Sequence, residues 1–195
     1  IKGISMKLQL FVASVLCTVG LHASQAHGTQ SLSQTQEGIK YIKMLGGTLK
    51  SQLKTQLQTD PSGLSAIGFC TAEAQLITNE VNAQLPDYAK VRRTSLRTRN
   101  SINKPDTKDI EVMTKIEESI QDKTATAMMI TKVDTKEATC YYKPLVAEAA
   151  CLKCHGENIS PEIQAVIQTY YPDENASHYS LGSFRGVIVA EIKKH

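Results

Sequence analysis

The stretch of sequence that decides the fold class is residues 124–145, TATAMMITKVDTKEATCYYKPL. Residues 124–132 and 138–145 are rich in residues that favour strands, and a polar turn near Asp134-Thr135 separates them. Two β-rich runs joined by a short polar turn are typical of an antiparallel hairpin. The stretch therefore predicts antiparallel strands in the second half of the chain.

Two more β-rich runs lie outside this hairpin. Residues 90–99 alternate between a face with Val91 and several arginines and a face of Thr and Leu side chains. Residues 183–192 form an apolar run after Gly182. Because successive side chains of a strand point to opposite faces, the alternation indicates a strand over 90–99, and we expect a final strand over 183–192.

Helical patterns dominate the first half of the chain. Apolar residues recur at intervals of three and four, which predicts a long amphipathic helix; they are Ile39, Ile42, Leu45, Leu49, Leu53 and Leu57. Gly46-Gly47 interrupts this stripe, and Asp60-Pro61 ends it because proline cannot continue the hydrogen bonds of a helix. A second helix is predicted over residues 62–85, with Cys70 on its inward face.

Shorter helical patterns are interspersed among the predicted strands. They cover residues 110–120, 147–155 and 161–170. The connections are too short, and the helices too few, for alternating strand-helix-strand units with a parallel sheet. The predicted fold class is therefore α+β.

The N-terminal residues have the pattern of a secretory signal. Lys2 and Lys7 precede an apolar run over residues 8–21, and Ser24-Gln25-Ala26 supplies small residues for cleavage. We predict a signal peptide over 1–26, a flexible leader over 27–38 and one domain over 39–195, in a periplasmic protein. A retained N-terminal anchor is the alternative. The run of 14 residues is shorter than the ~20 that cross a bilayer as a helix, so a polytopic membrane protein is excluded.

Composition and charge restrict the function further. The chain has 195 residues, of which 41% are hydrophobic and 21% charged, as in one globular domain. The net charge is +3, but Lys2 and Lys7 leave with the predicted signal, so that 20 basic and 19 acidic side chains remain. Such a balance does not support the clustered basic surface that binds nucleic acids, and we expect no nucleic-acid partner.

One motif carries a specific chemistry: Cys151-Leu152-Lys153-Cys154-His155 is a C-x-x-C-H sequence, the attachment signature of a c-type haem. Two thiols one helical turn apart can add to the two vinyl groups on one edge of a porphyrin. The adjacent histidine can then act as an axial ligand of the iron. The motif predicts one covalent haem c bound to Cys151 and Cys154, with His155 on the iron.

Three other interpretations of the cysteines fit the sequence less well. A thioredoxin-like pair would open a helix in a strand-helix-strand unit, which is lacking, and it leaves His155 without a role. A structural zinc site would need a second ligand pair, and Cys70 and Cys140 are far apart in sequence. Four cysteines in an oxidising compartment could form two disulfides, but the spacing of Cys151 and Cys154 argues against it.

The sequence also resembles the periplasmic family of PAS-like sensor domains that carry a c-type haem. The resemblance covers most of the predicted mature chain. It rests on AIGFC at 66–70, RTSLRTRN at 93–100, YYKPL at 141–145, CLKCHG at 151–156, and Tyr171-Pro172 through Gly182 to Arg185-Gly186.

This resemblance implies a PAS-like antiparallel sheet flanked by helices, a single haem, and a cysteine as the second axial ligand, at the position of Cys70. The residues alone leave two alternatives for Cys70, which are a small apolar core residue or one half of a disulfide with Cys140. If Cys70 binds the iron, Cys140 is a free thiol.

Three arginines share one face of the predicted strand over residues 90–99. They are Arg93, Arg97 and Arg99. A planar guanidinium group suits a carboxylate, so Arg93 and Arg97 above all are candidates to bind the haem propionates. The alternative is a solvated strand face.

Tyr141 is a further candidate for cofactor binding, as part of the wall of the haem pocket. Three more tyrosines are candidates for that wall, Tyr142, Tyr170 and Tyr171, although aromatic side chains also fill ordinary cores. Weaker candidates are Met128 and Met129, which core packing explains better, and His178 in a polar stretch. Lys143 and Arg185, which lie in segments that carry the resemblance, are weaker candidates to bind the propionates.

These observations predict an exported cytochrome with one haem that senses redox state or a diatomic gas. The alternative is a periplasmic one-electron carrier. Enzymatic activity is not expected, because two protein ligands on the iron leave no open coordination position. A sensor requires an unidentified redox or signalling protein as its partner, and the long first helix is a candidate surface for a homodimer.

Overall fold

The structure is a computed structural model, and it describes residues 32–194. The predicted signal peptide over 1–26 and the first residues of the predicted leader lie outside the described residues. No helix in the described part of the chain is long and apolar enough to cross a membrane.

Six helices and four strands make up the described chain, and they confirm the α+β class. The helices are α1 (Gln34–Thr59), α2 (Leu64–Ala72), α3 (Ala74–Ala83), α4 (Thr107–Gln121), α5 (Leu152–His155) and α6 (Pro161–Tyr170). The strands are β1 (Ala89–Thr94), β2 (Thr131–Asp134), β3 (Ala138–Val146) and β4 (Phe184–Lys193). They form one antiparallel sheet in the order β1-β4-β3-β2.

The predicted hairpin is present, but its first strand is shorter than expected. Strands β2 and β3 pair across the turn after Asp134, with Val133 opposite Cys140. Residues 124–130 form no strand, and Met128 and Met129 are exposed rather than packed in a core. The prediction was wrong there because strand propensity acts mainly through packing against neighbouring strands, which this stretch lacks.

The first strand is also shorter than predicted, since β1 ends at Thr94 instead of Arg99. Its last residue pairs with Val187, next to Gly186, whose φ is +137°. A Cβ atom at Gly186 would lie 2.5 Å from the Thr94 carbonyl oxygen. The register between β3 and β4 shifts at Leu145 and Val146. The sheet is therefore irregular at this end, and the chain after Thr94 leaves it.

Helix α1 begins earlier than the apolar periodicity indicates. Ser33 caps it in a capping box with Gln36, so residues 34–38, predicted as leader, are helical. The helix also continues without interruption through Gly46-Gly47. A Cβ atom at Gly38 would overlap the ring of Tyr141, so this glycine lets the helix lie directly on the sheet.

The second predicted helix is divided into two. Helix α2 ends at Ala72 and α3 begins at Ala74, with Glu73 between them. Residues 147–155, predicted as one helix, contain only a 3₁₀ turn over Ala149–Cys151 followed by the four residues of α5. Local periodicity does not reveal such breaks because packing against other elements decides where a helix changes direction.

Both faces of the sheet are buried. Helices α1 and α3 cover one face, where Tyr41, Ile42 and Leu45 pack against Tyr141 and Ile188. Helix α4 covers the other face, where Val112 and Met113 pack against Cys140, Tyr142 and Val189. A third cluster lies beside the sheet and joins α2 to α6 through Ile67, Ile163 and Ile167.

Candidate haem site

A pocket of about 250 Å³ lies beside the irregular end of the sheet. Its walls come from α2, from the chain that follows β1, from the junction of β3 and β4, and from α5. The residues with candidate functions that line it are Cys70, Arg93, Arg97, Arg99, Cys151, Cys154, His155, Tyr171 and Arg185. Tertiary structure therefore brings together side chains that are up to 115 positions apart in the chain, Cys70 and Arg185 being the extremes.

The C-x-x-C-H motif forms one wall of the pocket. Cys151 ends a 3₁₀ turn, and Cys154 and His155 belong to α5, so both thiols lie within one turn of each other. Both cysteines are free and partly exposed. Burial, followed by the nearby Cys70 thiol, raises the pKa of Cys154 to about 11, which keeps this thiol protonated.

A backbone carbonyl fixes the ring of His155. Its Nδ1 lies 2.7 Å from the carbonyl oxygen of Ala176. Burial, and then the positive charges of Arg185 and Arg99, lower the pKa of His155 well below its ordinary value, so the ring is neutral. Because a carbonyl oxygen only accepts, Nδ1 carries the proton and Nε2 carries the free lone pair.

Arg185 lies against this lone pair. Its Nη2 is 3.0 Å from each ring nitrogen of His155, and its guanidinium group lies 4.7 Å from the centre of the Tyr179 ring. Since Nδ1 is already a donor, the group available to accept from Arg185 is Nε2. Binding of a metal to Nε2 therefore requires Arg185 to move aside.

A buried ion pair joins the chain after β1 to the motif. Arg99 Nε donates to Glu174 Oε2 at 3.1 Å, and both side chains are almost fully buried. Nη2 of the same arginine donates to the carbonyl oxygen of Cys154 at 2.7 Å. Arg99 therefore ties the C-x-x-C-H motif to the loop after α6.

The predicted basic strand face does not exist as such, because β1 ends at Thr94, but its three arginines still line one pocket. Arg97 lies 3.8 Å over the Tyr179 ring and donates to the carbonyl oxygen of Ser177. Arg93 Nε and Arg99 Nη1 are buried and have no hydrogen-bond partner. Unpaired buried donors of this kind are costly, so the pocket suits an anionic group that they can bind.

The pocket has more positive than negative charge among the described residues. Four arginines line it, which are Arg93, Arg97, Arg99 and Arg185, and only Arg99 forms a salt bridge there, with Glu174. Burial lowers the pKa of Arg93 and of Arg185, which shows the cost of burying these cations. The residues present therefore fit a haem, whose carboxylates would supply the missing negative charge.

Cys70 lies on α2 at the pocket, where it packs against the cluster of Ile67, Ile163 and Ile167. Burial raises the pKa of its thiol, while Arg93 and Arg99 act in the opposite direction. The proposed disulfide alternative is not formed, because Cys70 and Cys140 are both free and lie in different clusters. Burial also raises the pKa of Cys140, to about 11.

Tyr141 does not line the pocket, in contrast to its prediction as a wall residue. It is fully buried under α1, and its hydroxyl lies 3.3 Å from Thr35 Oγ1. Tyr142 faces α4 and donates to Asp109 Oδ1, and Tyr170 is exposed. Only Tyr171 of the four tyrosines lines the pocket, and its hydroxyl donates to the Cys70 carbonyl oxygen at 3.4 Å.

The weaker ligand candidates also lie away from the pocket lining. Met128 and Met129 are exposed in the stretch before β2. His178 borders the motif through its backbone, whose N–H donates to the Gly156 carbonyl oxygen at 3.1 Å. Lys143 lies in β3 and does not line the pocket either.

Sequence reasoning missed Ala176 and Tyr179, which contact the His155 ring. It also missed Glu174, which accepts a hydrogen bond from the backbone N–H of Ala176. The ring of Tyr179 meets the His155 ring edge to face, with ring centres 6.3 Å apart. These residues lie in the segment from Tyr171 to Gly182 that carries the resemblance, but its polar sequence is typical of any surface loop, so their roles depend on tertiary contacts.

No group of three or more His, Cys, Asp or Glu side chains within residues 32–194 is arranged to hold a metal ion. A haem iron takes its four equatorial ligands from the porphyrin and needs only axial ligands from the protein. Cys70 and His155 both line the pocket and are the two candidates for these positions.

Comparison with known proteins gives one family and one fold. A family model described as Tll0287-like matches residues 21–192. The crystal structure of the cyanobacterial heme-protein Tll0287 is similar to this chain, with a TM-score of 0.62 and 19% sequence identity. The alignment covers 84% of this chain and 98% of that chain. No curated protein matches.

Proposed function

The chain belongs to the Tll0287-like family, and from this premise we propose that it is a haem protein with one haem c attached through Cys151 and Cys154. The observation that carries the proposal is the pocket, in which the motif, Cys70 and two buried arginine nitrogens without partners come together. The heme-protein Tll0287, which has a similar fold, supports the same cofactor.

Covalent attachment requires the two thiols to reach one edge of the porphyrin. Each thiol would add across a vinyl group, so that a C–S bond forms and the thiol proton goes to the other vinyl carbon. Cys151 and Cys154 lie on one turn at the pocket wall and neither is in a disulfide, which leaves both thiols available. Once bound, the haem would supply one-electron redox chemistry, and it would take up a small ligand only after a protein ligand had left the iron.

His155 is the proposed proximal ligand because its free lone pair lies on Nε2. The Ala176 carbonyl holds the other nitrogen, an arrangement that orients metal-ligating histidines in many proteins. Arg185 would leave Nε2 and move within the pocket, where it is free to pair with a carboxylate.

Cys70 is the proposed second axial ligand. Coordination to a metal deprotonates a thiol, and the surrounding arginines favour the thiolate that burial alone disfavours. Arg93, through its unpaired Nε, is the strongest candidate to bind a propionate. Arg97 is the weaker of the two, because its guanidinium group already stacks on Tyr179.

The proposed role is sensing of redox state or of a diatomic gas, within a PAS-like domain exported to the periplasm. Loss of Cys70 from the iron would remove one restraint on helix α2, and a shift of that helix would be the two-state element that a signal needs. We do not propose enzymatic activity, since two protein ligands would leave no open position on the iron. A one-electron carrier is the second candidate function, and a signalling or redox protein is the expected partner.

A homodimer is proposed only through helix α1. Its C-terminal half carries Leu49, Leu53 and Leu57, which are half-buried in the single chain, although Leu49 also packs against the core and Leu53 lines the pocket. Packing of this stripe against a second copy would remove further apolar surface from water. Sedimentation of the purified protein distinguishes the monomer from the dimer.

The proposal of a covalent haem is tested by expression in a host with working cytochrome c assembly. Acid-acetone extraction should leave the chromophore on the polypeptide, and the Cys151→Ala, Cys154→Ala double variant should lose it. Cys140→Ala is the matched control, because this free cysteine lies in the α4 cluster away from the pocket. A protein that matures without colour in such a host would overturn the proposal.

A further inference from the structure

The segment over residues 174–179 lies between α6 and β4 and contains no helix or strand. Its backbone runs beside the end of the haem-attachment motif. The N–H of His178 donates to the Gly156 carbonyl oxygen at 3.1 Å, and the N–H of Tyr179 donates to the His155 carbonyl oxygen at 2.9 Å. The 174–179 segment is thus fixed directly against His155.

Glu174 organises this segment from its first position. Oε2 accepts from the backbone N–H of Ala176 at 2.7 Å, and Oε1 accepts from Ser177 Oγ at 2.7 Å. Arg99 Nε donates to Oε2 at 3.1 Å. The carboxylate therefore has partners on both oxygens, and it fixes the turn through Ala176 while it neutralises Arg99.

The Ala176 carbonyl is the point at which this network reaches His155. Ala176 is fully buried, and its oxygen lies 2.7 Å from His155 Nδ1 and 3.3 Å from Arg99 Nη2. Two donors thus share one carbonyl oxygen. The strength of the hydrogen bond from Nδ1 therefore depends on how strongly Glu174 binds Arg99.

We propose that Glu174 is a positioning residue for His155, which fixes the Nδ1-protonated form of the ring and keeps Nε2 available for iron. The proposal rests on the proposed function, in which His155 is the proximal haem ligand. A ligating histidine that donates to a fixed carbonyl is oriented by it and is a more basic ligand. Glu174 would therefore influence the reduction potential without touching the haem.

Glu174→Gln separates this role from a merely structural one. The variant keeps the size of the side chain and one acceptor oxygen but removes the charge that holds Arg99. Arg99 then draws more strongly on the Ala176 carbonyl, and the hydrogen bond from His155 Nδ1 weakens. A less basic histidine stabilises the ferric iron less, so the reduction potential rises.

Two other variants make the comparison specific. Glu162→Gln removes the same charge from the exposed first turn of α6, and serves as the matched control. Ser177→Ala removes one donor to Glu174 and one acceptor of Arg99 Nη2, and it leaves the ion pair between Glu174 and Arg99 in place. It keeps the proposal testable if Glu174→Gln does not fold, with a smaller change in the same direction.

The experiment uses the full chain as purified with haem and with ¹⁵N-labelled histidine. The reduction potential is measured by titration, and the exchange of the His155 Nδ1 proton with solvent is measured by NMR on the reduced protein under carbon monoxide. We expect Glu174→Gln to speed this exchange and to shift the ratio of reduced to oxidised protein about tenfold towards the reduced form. For one electron this is a rise of about 59 mV.

The result that overturns the proposal is a Glu174→Gln variant with the same potential and the same Nδ1 proton exchange as the Glu162→Gln control. A loss of stability alone would then identify the ion pair as purely structural. If the protein carries no haem, the proposed function fails, but the ¹⁵N shifts of His155 in the colourless chain still decide this inference. Protonation confined to Nδ1 in the wild type and shared with Nε2 in Glu174→Gln would support it, and identical shifts would overturn it.

Discussion

Replacement of Cys70 by Ala separates the sensor from the electron carrier. The side chain lies at the pocket on α2, and Arg93 and Arg99 favour its negative charge. A thiolate on the iron stabilises the ferric form more than the ferrous form, because it offsets one positive charge. Cys70→Ala should therefore raise the reduction potential and leave a coordination position open.

The magnitude follows from the removal of one negative charge at a buried site. At the effective dielectric constant of about 20 that describes protein sites, two unit charges about 4 Å apart interact by about 4 kcal/mol. Arg93 and Arg99, which favour the thiolate, offset part of this effect. Since about 0.1 V corresponds to about 2.3 kcal/mol per electron, we expect an increase on the order of 0.1 V or more.

The assay combines a redox titration with the kinetics of carbon monoxide binding to the ferrous protein. Cys70→Ala should bind carbon monoxide faster than the wild type, and paramagnetic resonance of the ferric form should lose the signature of a thiolate ligand. Cys140→Ala is the control, because it removes the other free thiol from a site under α4. If Cys70→Ala leaves the potential, the spectrum and the kinetics unchanged, Cys70 is a packing residue and the carrier becomes the better interpretation.

Further predictions concern the thiols, the sheet and the pH dependence. Thiol counting on the unfolded, unreduced protein should find Cys70 and Cys140 reactive, and a disulfide between them would exclude Cys70 as a ligand. Gly186→Ala should lower the free energy of unfolding by about 1–3 kcal/mol, because Gly186 has a positive φ and its Cβ position lies against backbone atoms. Gly47→Ala should raise the melting temperature, because nothing lies near its Cβ position in helix α1. Equal shifts in melting temperature for the two variants would contradict the described end of the sheet. Hydrogen bonds from Ser62, then Ser65, lower the pKa of Asp60 from 3.8 to about 2. The contribution of the Asp60 carboxylate to the stability of the fold should therefore be complete above pH 3.8 and lost as the pH falls through about 2. An NMR titration checks this pKa, and a value near 3.8 would show that the turn is not formed.

The elements that were predicted correctly are those with a strong local signal. Helix α6 has the predicted bounds, and Ser160 caps it with a proline in its first turn. Strand β3 matches residues 138–145 closely, because it is paired and buried on both sides. The stretch 124–130 has no partner strand, so the strand preference of its threonines and of Ile130 produced no strand.

Among the site residues, the sequence identified directly only those that act together as near neighbours in the chain. The C-x-x-C-H spacing depends on the geometry of one turn, and so the proposed attachment residues and proximal ligand were identified without a fold. Arg93 and Arg97 were found at the pocket for a reason different from the predicted one, since the strand that was to align them ends at Thr94.

Only the tertiary structure decided which distant side chains meet His155. Glu174 and Ala176 come from a loop after α6, Arg99 from the chain after β1, and Arg185 from the start of β4. Tyr141, by contrast, was placed under α1, away from the pocket. Sequence by itself determined the helix and strand classes and the attachment motif because these depend on contacts a few residues apart. The charge and hydrogen bonds around the candidate ligand depend on how the sheet edge, α2 and the 174–179 segment pack together, and no local pattern carries that information.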